Sequence, residues 1–266
     1  MPASLPSAAL AARHDAARDI IARAGDMALE FFSRHRSLPI ESKTDGQDLV
    51  SIADREVETL IRDEIAARFP GDGIVGEEHG LREGSTGYRW IIDPIDGTSA
   101  FLHGLETWTV VIAIVENGNP VLGLIAQPCA GALYWAQAGG GAWRNDRPLA
   151  VDTKTPFTSG LSAIGPGNAR HARETGRIVT EILEQGGNYM RNGSAALSLA
   201  YVAQGSYLGF YEPELSAWDC MAGLLLVREA GGIADDPFTP QTLLHRLPCL
   251  ATAPQAAGCL RKIIGG

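Results

Sequence analysis

WIIDPIDGTSAFLHG, residues 90–104, is the stretch from which the rest of the chain is best read. Trp90-Ile91-Ile92 is an apolar run of strand character that ends in Asp93. Pro94 has a fixed φ and no N–H to give a ladder, so the strand is expected to stop there. Asp96 follows three residues after Asp93, Gly97 permits a tight turn, and Thr98 opens a short helical turn through Phe101. Two carboxylates therefore converge where the chain leaves a strand, with the N–H groups of a helix start behind them. Carboxylates bind hard cations such as Mg²⁺, and helix-start N–H groups bind phosphate oxygens. The two side by side point to metal-assisted phosphoryl transfer to water.

Asp-Pro and Asp-Gly are also ordinary turn pairs, and Asp caps helices. Two further acidic groups weigh against that plain reading. Glu77-Glu78 directly follows a short apolar strand at 73–76, and Trp218-Asp219 opens a strongly apolar helix. Helix-dipole compensation explains an acid at Asp219 by itself. It does not explain three acid clusters, each at a junction between elements.

The flanking pattern is mixed α and β. Apolar residues at three- and four-residue spacing predict helices over 8–33 and from near Asp54 to Phe69, the second stopped by Pro70-Gly71. Strands are expected at 107–116, 120–127 and 132–136, with Asn117-Gly118 as a hairpin signal. Beyond residue 152 strands alternate with helices: strands at 160–164, 188–191, 206–211 and 247–251, helices at 171–184, 194–203 and 217–230, then a short final helix. Trp108 and Trp143 are expected in the core. The alternation implies layered α/β packing, with a sub-domain boundary near 152–160.

The 266 residues, 45% hydrophobic and 20% charged, describe a globular chain with a sizeable core. Twenty-two basic against 31 acidic residues leave a net charge of −9, which argues against a nucleic-acid binder. Cys129, Cys220, Cys249 and Cys259 form no CxxC or zinc pattern and read as unpaired thiols of a reducing compartment. No secretory signal opens the chain, and the apolar run at 110–115 is too short for a membrane helix, so a cytoplasmic location without membrane contact is expected.

Four blocks carry a resemblance: KTDGQDLVSIAD at 43–54, Gly76-Glu77-Glu78, residues 90–104, and WDCMAGLLLVREAGG at 218–232. In order and spacing the chain resembles the inositol monophosphatase family of metal-dependent phosphomonoesterases over about residues 10–260. The resemblance implies an α/β fold, the αβαβα sandwich of the inositol monophosphatase and fructose-1,6-bisphosphatase type. It would form one domain over 1–266, with sub-domains at about 1–152 and 153–266. It implies a first Mg²⁺ held by Glu77, Asp93 and the Ile95 carbonyl, a second by Asp93, Asp96 and Asp219, and a third, weaker one at Glu77. Asp54 and Thr98 would orient and deprotonate the attacking water. The N–H groups of Gly97 and Thr98 would hold the phosphate. Glu212 would contact substrate hydroxyls, and Gly193, Ser194 and Ala195 would line the alcohol side. Lys43 and Arg191 are further candidates for the anionic substrate. A homodimer and lithium sensitivity come with the same resemblance.

After Thr98 this chain reads Ser99-Ala100-Phe101, where inositol phosphatases typically read Thr-Asn-Phe. The 3′-phosphoadenosine nucleotidase branch reads Lys-Glu-Phe there, which argues against that activity. Ala100 and Trp108 fit histidinol-phosphate phosphatases, whereas Glu212 and the 218–232 block fit the inositol branch. Inositol 1-phosphate is the favoured substrate and histidinol phosphate the alternative. An accessory role in the transcription machinery with vestigial catalysis is a third reading.

Overall fold

Period-two and period-3.6 patterns resolve into two sheets separated and flanked by helices. The computed structural model describes residues 7–37, 40–42 and 49–265, and Lys43 lies outside them. Helix α1 (Ala8–Phe32) begins at Ser7, whose Oγ accepts the Leu10 N–H at 3.1 Å. A small hairpin, β1 (Ile40–Ser42) with β2 (Leu49–Ser51), leads into α2 (Ile52–Arg68). Then come β3 (Gly73–Gly76), β4 (Gly80–Arg82), β5 (Tyr88–Asp96), the short α3 (Thr98–Leu102), β6 (Thr109–Glu116), β7 (Asn119–Gln127), β8 (Ala132–Gln137), β9 (Gly141–Arg144) and β10 (Arg147–Pro148). The strands from β3 onward form an eight-stranded sheet of order β10-β9-β8-β7-β6-β5-β3-β4, antiparallel except between β3 and β5.

The second half contains β11 (Leu161–Ile164), α4 (Ala172–Glu184), β12 (Asn188–Met190), α5 (Ala195–Ala203), β13 (Gly209–Leu215), α6 (Ala217–Glu229), β14 (Ile233–Ala234), β15 (Leu247–Thr252) and α7 (Ala257–Gly265). Its sheet runs β12-β11-β13-β15-β14, with β11 parallel to both neighbours and the other pairs antiparallel.

Alternation along the central strands builds the layers. Trp90, Ile92, Ile112 and Ile114 face a core shared with α1 and α2. Ile91, Val111 and Ala113 face the other way, into a core shared with α5, α6 and the second sheet. Both faces are covered, so these strands read as continuous apolar runs. Helices α4 and α7 pack on the outer side of the second sheet, which completes the expected αβαβα order.

Several elements differ from expectation. β5 does not stop at Pro94; it runs to Asp96 across an irregularity in its pairing with β6. β13 begins at Gly209 rather than 206, because the N–H groups of Ser206 and Tyr207 turn back to the Tyr201 carbonyl at the end of α5. Trp143 is half-buried and stacks on Trp135 with ring centroids 5.8 Å apart, whereas Trp108 is in the core as expected. Strands β4, β9, β10 and β14, each of four residues or fewer, were not foreseen.

The start of β5 is anchored by a buried ion pair. Arg13 on α1 forms a two-pronged bond to Asp72 at 2.8 and 2.7 Å and lies over the Tyr88 ring. Asp72 also accepts from Trp90 Nε1 at 2.9 Å and Thr86 Oγ1 at 2.5 Å. Burial pushes this carboxyl up, but the bonds from Arg13, Thr86 and Trp90 outweigh it and hold it below its usual value. Removing one member of a buried pair leaves the other charge uncompensated. Arg13→Ala is expected to lower the unfolding free energy by about 3 kcal/mol in urea titrations. A loss below about 1 kcal/mol, the range of a surface ion pair, would mean that the pair does not anchor β5.

Candidate active site

Residues three apart on a regular strand point to opposite faces. Asp93 pairs with Val111 and Asp96 with Thr109, so the three-residue step on β5 matches a two-residue step on β6. This is a β-bulge, and it re-aims one side chain. Pro94 sits within it, where a missing N–H does least harm. Both carboxylates consequently line one cavity of about 220 Å³, together with Glu77, Thr98, Glu212 and Asp219. Gly97 follows at φ +96°, a conformation that disfavours any side chain, and a Cβ there would stand 3.2 Å from the Gly193 and Thr107 carbonyl oxygens.

Asp54 reaches the site from the first turn of α2. It is buried, and its Oδ2 accepts the Ser51 N–H at 2.8 Å and the Ser51 hydroxyl at 2.7 Å. The Ser51 Oγ accepts the Ala53 N–H at 3.1 Å. This reciprocal cap leaves Asp54 Oδ1 for Thr98, whose hydroxyl stands 3.1 Å from Asp54 Oδ1 and 3.1 Å from the Ile95 carbonyl. Burial pushes the Asp54 carboxyl up, partly offset by the bonds from Ser51 and Thr98.

Asp219 arrives in the same way, as the third residue of α6, and its Oδ2 accepts the Ser216 N–H at 2.8 Å. Burial pushes Asp219 well above the usual carboxylate range, and the charges of Glu77 and Asp96 push it further. Asp93 is raised the same way, by burial first and then by Glu77, Asp96, Asp219 and Asp54. Asp93 Oδ1 accepts the Ile95 N–H at 3.0 Å. Like charges roughly 4 Å apart repel by about 4 kcal/mol at an effective dielectric of about 20, so such a cluster cannot ionise fully without counter-charge.

The opposite wall is the start of α5. Asp96 accepts the N–H groups of Ala195 (3.2 Å) and Ala196 (2.8 Å), the Thr109 hydroxyl (3.3 Å) and the Ser194 hydroxyl. These bonds partly offset the upward push of burial on its carboxyl. Gly193 at φ +93° turns the chain into that helix. Glu212 projects from β13 near a second irregularity, next to Pro213, and accepts the Gly167 N–H at 3.0 Å. Burial pushes it up to about 7. The Arg191 and Arg246 side chains lie exposed at the mouth of the cavity.

The expected residues Glu77, Asp93, Ile95, Asp96, Gly97, Thr98, Gly193, Ser194, Ala195, Glu212, Asp219 and Arg191 thus line one cavity, with Asp54 behind Thr98. His103 is turned back to the Ser99 carbonyl at 2.7 Å, and His79 to the Thr59 hydroxyl at 3.2 Å. Among the described residues, no three His, Cys, Asp or Glu side chains stand grouped closely enough to hold a metal ion as they are placed. The oxygen-only donor set is nevertheless the hard chemistry that Mg²⁺ selects. Sequence reading missed Arg246, the two serine caps and Glu58 on α2. The caps had a signal, since Ser51-x-x-Asp54 and Ser216-x-x-Asp219 both follow the capping-box spacing. Arg246 had none.

The sequence pattern of the inositol monophosphatase family matches residues 10–264. An inositol-1-monophosphatase from Mesorhizobium japonicum is 41% identical over 226 residues, which cover 84% of each chain. A histidinol-phosphatase from Chlorobaculum parvum is 37% identical over 235 residues, covering 86% of this chain and 87% of that one. The crystal structure of the extragenic suppressor protein suhB from Bartonella henselae is similar in three dimensions. Its TM-score is 0.89 at 31% identity, over 95% of this chain and 98% of that one. With the acidic cavity described above, these likenesses lead to one conclusion: the chain belongs to the inositol monophosphatase family, whose members are phosphoric monoester hydrolases.

Proposed function

We propose that this chain hydrolyses a small polyol phosphate, inositol 1-phosphate foremost, to the alcohol and phosphate, with Mg²⁺ as cofactor. The observation that carries this reading is the crowding of Glu77, Asp93, Asp96 and Asp219 on one cavity beside the Thr98–Asp54 pair. A phosphate monoester with about two negative charges cannot enter such a cavity unless cations reverse its sign. Glu77, Asp93, Asp96, Asp219 and the Ile95 carbonyl would hold them. When bound, Mg²⁺ supplies that positive charge, acidifies a water and offsets charge on the leaving oxygen.

The chain's own groups supply the rest. The Thr98 hydroxyl has one hydrogen and two acceptors, Asp54 Oδ1 and the Ile95 carbonyl. Donation to either leaves the Thr98 oxygen free to accept a hydrogen bond from an attacking water and so to orient it. Asp54, buried and raised, is suited to take the proton that the hydroxyl relays. The N–H groups of Gly97 and Thr98 would bind phosphate oxygens. On the alcohol side Glu212, whose carboxyl burial pushes up to about 7, is placed to hydrogen-bond substrate hydroxyls. Arg191 and Arg246 attract an anion to the mouth. A homodimer and lithium sensitivity, carried by the family resemblance, belong to the same reading, as does the cytoplasmic location expected from the sequence itself. Histidinol phosphate is the second reading, favoured by the Chlorobaculum relative.

Phosphate release with Mg²⁺ is expected to be fastest from myo-inositol 1-phosphate in a panel with histidinol phosphate, 3′-phosphoadenosine 5′-phosphate and fructose 1,6-bisphosphate. EDTA and Asp93→Asn should each abolish it. Histidinol phosphate as the winner would select the second reading, and no release from any member would reject both.

A second expectation concerns stability. A carboxyl whose pKa is higher in the fold than in the unfolded chain keeps its proton longer when folded. Stability then falls as pH rises from about 4 toward the folded value. Asp93 and Asp219 are raised in this sense, so the metal-free protein carries their strain at neutral pH. Asp93→Asn should therefore raise the melting temperature of the metal-free protein at pH 7.5 and reduce the gain on adding Mg²⁺. In the unsubstituted protein that gain should be larger at pH 7.5 than at pH 5.5. Equal gains at both pH values would contradict the reading.

A further inference from the structure

Helix α2 carries Asp54, Glu58 and Arg62 at spacings of four, so the three share one face. Asp54 belongs to the Thr98 pair. Glu58 and Arg62 have no part in the chemistry above, yet Glu58 is an acid of 0% exposure. Acids are almost never buried so fully without dedicated partners.

The partners all belong to, or reach, one turn. Glu58 Oε2 accepts the Glu78 N–H at 2.7 Å, and Oε1 accepts the His79 N–H at 3.1 Å. Arg62 Nε donates to Glu58 Oε1 at 2.6 Å, and Arg62 also donates to the Gly80 carbonyl. Helix and turn are thus joined at three successive residues, the last two of the β3–β4 connection and the first of β4. That connection begins with Glu77, which lines the cavity and whose charge acts on both Asp93 and Asp219. The approach is so close that a Cβ on Gly76 would stand 2.2 Å from Glu58 Oε1. Only glycine leaves the carboxylate its place.

We propose that Glu58 is a positioning residue for cation binding. It clamps the 76–80 turn so that the Glu77 carboxylate is held near Asp93 and Asp219 against their mutual repulsion. One rigid helix then sets both the Glu77 turn and, one turn away at about 6 Å of rise, the Asp54–Thr98 pair. The inference rests on the metal-dependent reading above.

The test is calorimetric titration of Mn²⁺ alone into the full chain, with Mg²⁺ activation and KM for inositol 1-phosphate measured in parallel. Glu58→Gln keeps the shape but turns an N–H₂ toward donors, so the turn loses at least one bond. It is expected to weaken Mn²⁺ binding about tenfold or more and to raise the Mg²⁺ needed for half-maximal activity by the same factor. At saturating Mg²⁺, kcat and KM should return to near the parent values. Gly76→Ala displaces the carboxylate from the other side and should show the same shift. The double variant should be no weaker than either single one, because both break one clamp. Glu64→Gln, on the same helix but paired with Arg23 and Arg68 rather than with the turn, should bind Mn²⁺ as the parent does.

If Glu58→Gln fails to fold by circular dichroism, Gly76→Ala carries the test alone. A folded Glu58→Gln or Gly76→Ala that binds Mn²⁺ as the parent does would overturn the proposal. So would a loss of kcat that saturating Mg²⁺ does not restore. A parent protein that binds no Mn²⁺ would instead overturn the metal-dependent reading itself.

Discussion

Carboxylates brought together in a buried cavity repel one another, and this molecule is organised so that they cannot move apart. Asp93 and Asp96 are fixed by a bulge in the most covered sheet. Asp54 and Asp219 are fixed as the third residues of α2 and α6, each tied to the backbone N–H of its capping serine. Glu77 is fixed through the turn that Glu58 holds. Each attachment has the backbone as one partner: the bulge itself, the N–H of a capping serine, or the N–H groups of Glu78 and His79. On the proposed reading, the burden of repulsion and desolvation stored in the site would be released by cation binding.

The layers explain why the site sits where it does. Helices α5 and α6 lie between the two sheets, and both begin at the cavity: Asp96 receives the first N–H groups of α5, and Asp219 lies in the first turn of α6. The second sheet adds Glu212 beside its own proline-containing irregularity. In both sheets a strand with a proline within it bends where an acid is needed. The cavity therefore joins two halves of the chain that are distant in sequence, lined by Glu77, Asp93 and Asp96 from one and by Glu212 and Asp219 from the other.

The acids, the alternation of strands and helices and the family membership were legible because they rest on short-range patterns. Asp93, Asp96 and Gly97 announce a turn, and Glu77 and Asp219 sit at element ends. The continuation of β5 past Pro94 was not legible, because a bulge is visible only in the pairing with β6. β13 begins three residues later than expected, because Tyr207 has a strand propensity that the bonds of Ser206 and Tyr207 to the Tyr201 carbonyl override. Nothing in the local sequence sets Glu58 apart from the other charges of its helix. Only the fold brings the 78–79 backbone onto it. Arg246 reaches the mouth from a loop that no local pattern connects to the site.

The Glu77, Asp93, Asp96 and Asp219 carboxylates are proposed to form a cation site. Anomalous diffraction from crystals soaked in Mn²⁺ tests it most directly. The account requires anomalous density within coordination distance of Asp93 and at least one of Glu77 and Asp219, in crystals whose protein is active with Mn²⁺. The same active crystals with no anomalous density among these carboxylates, or with it only elsewhere, would contradict the account.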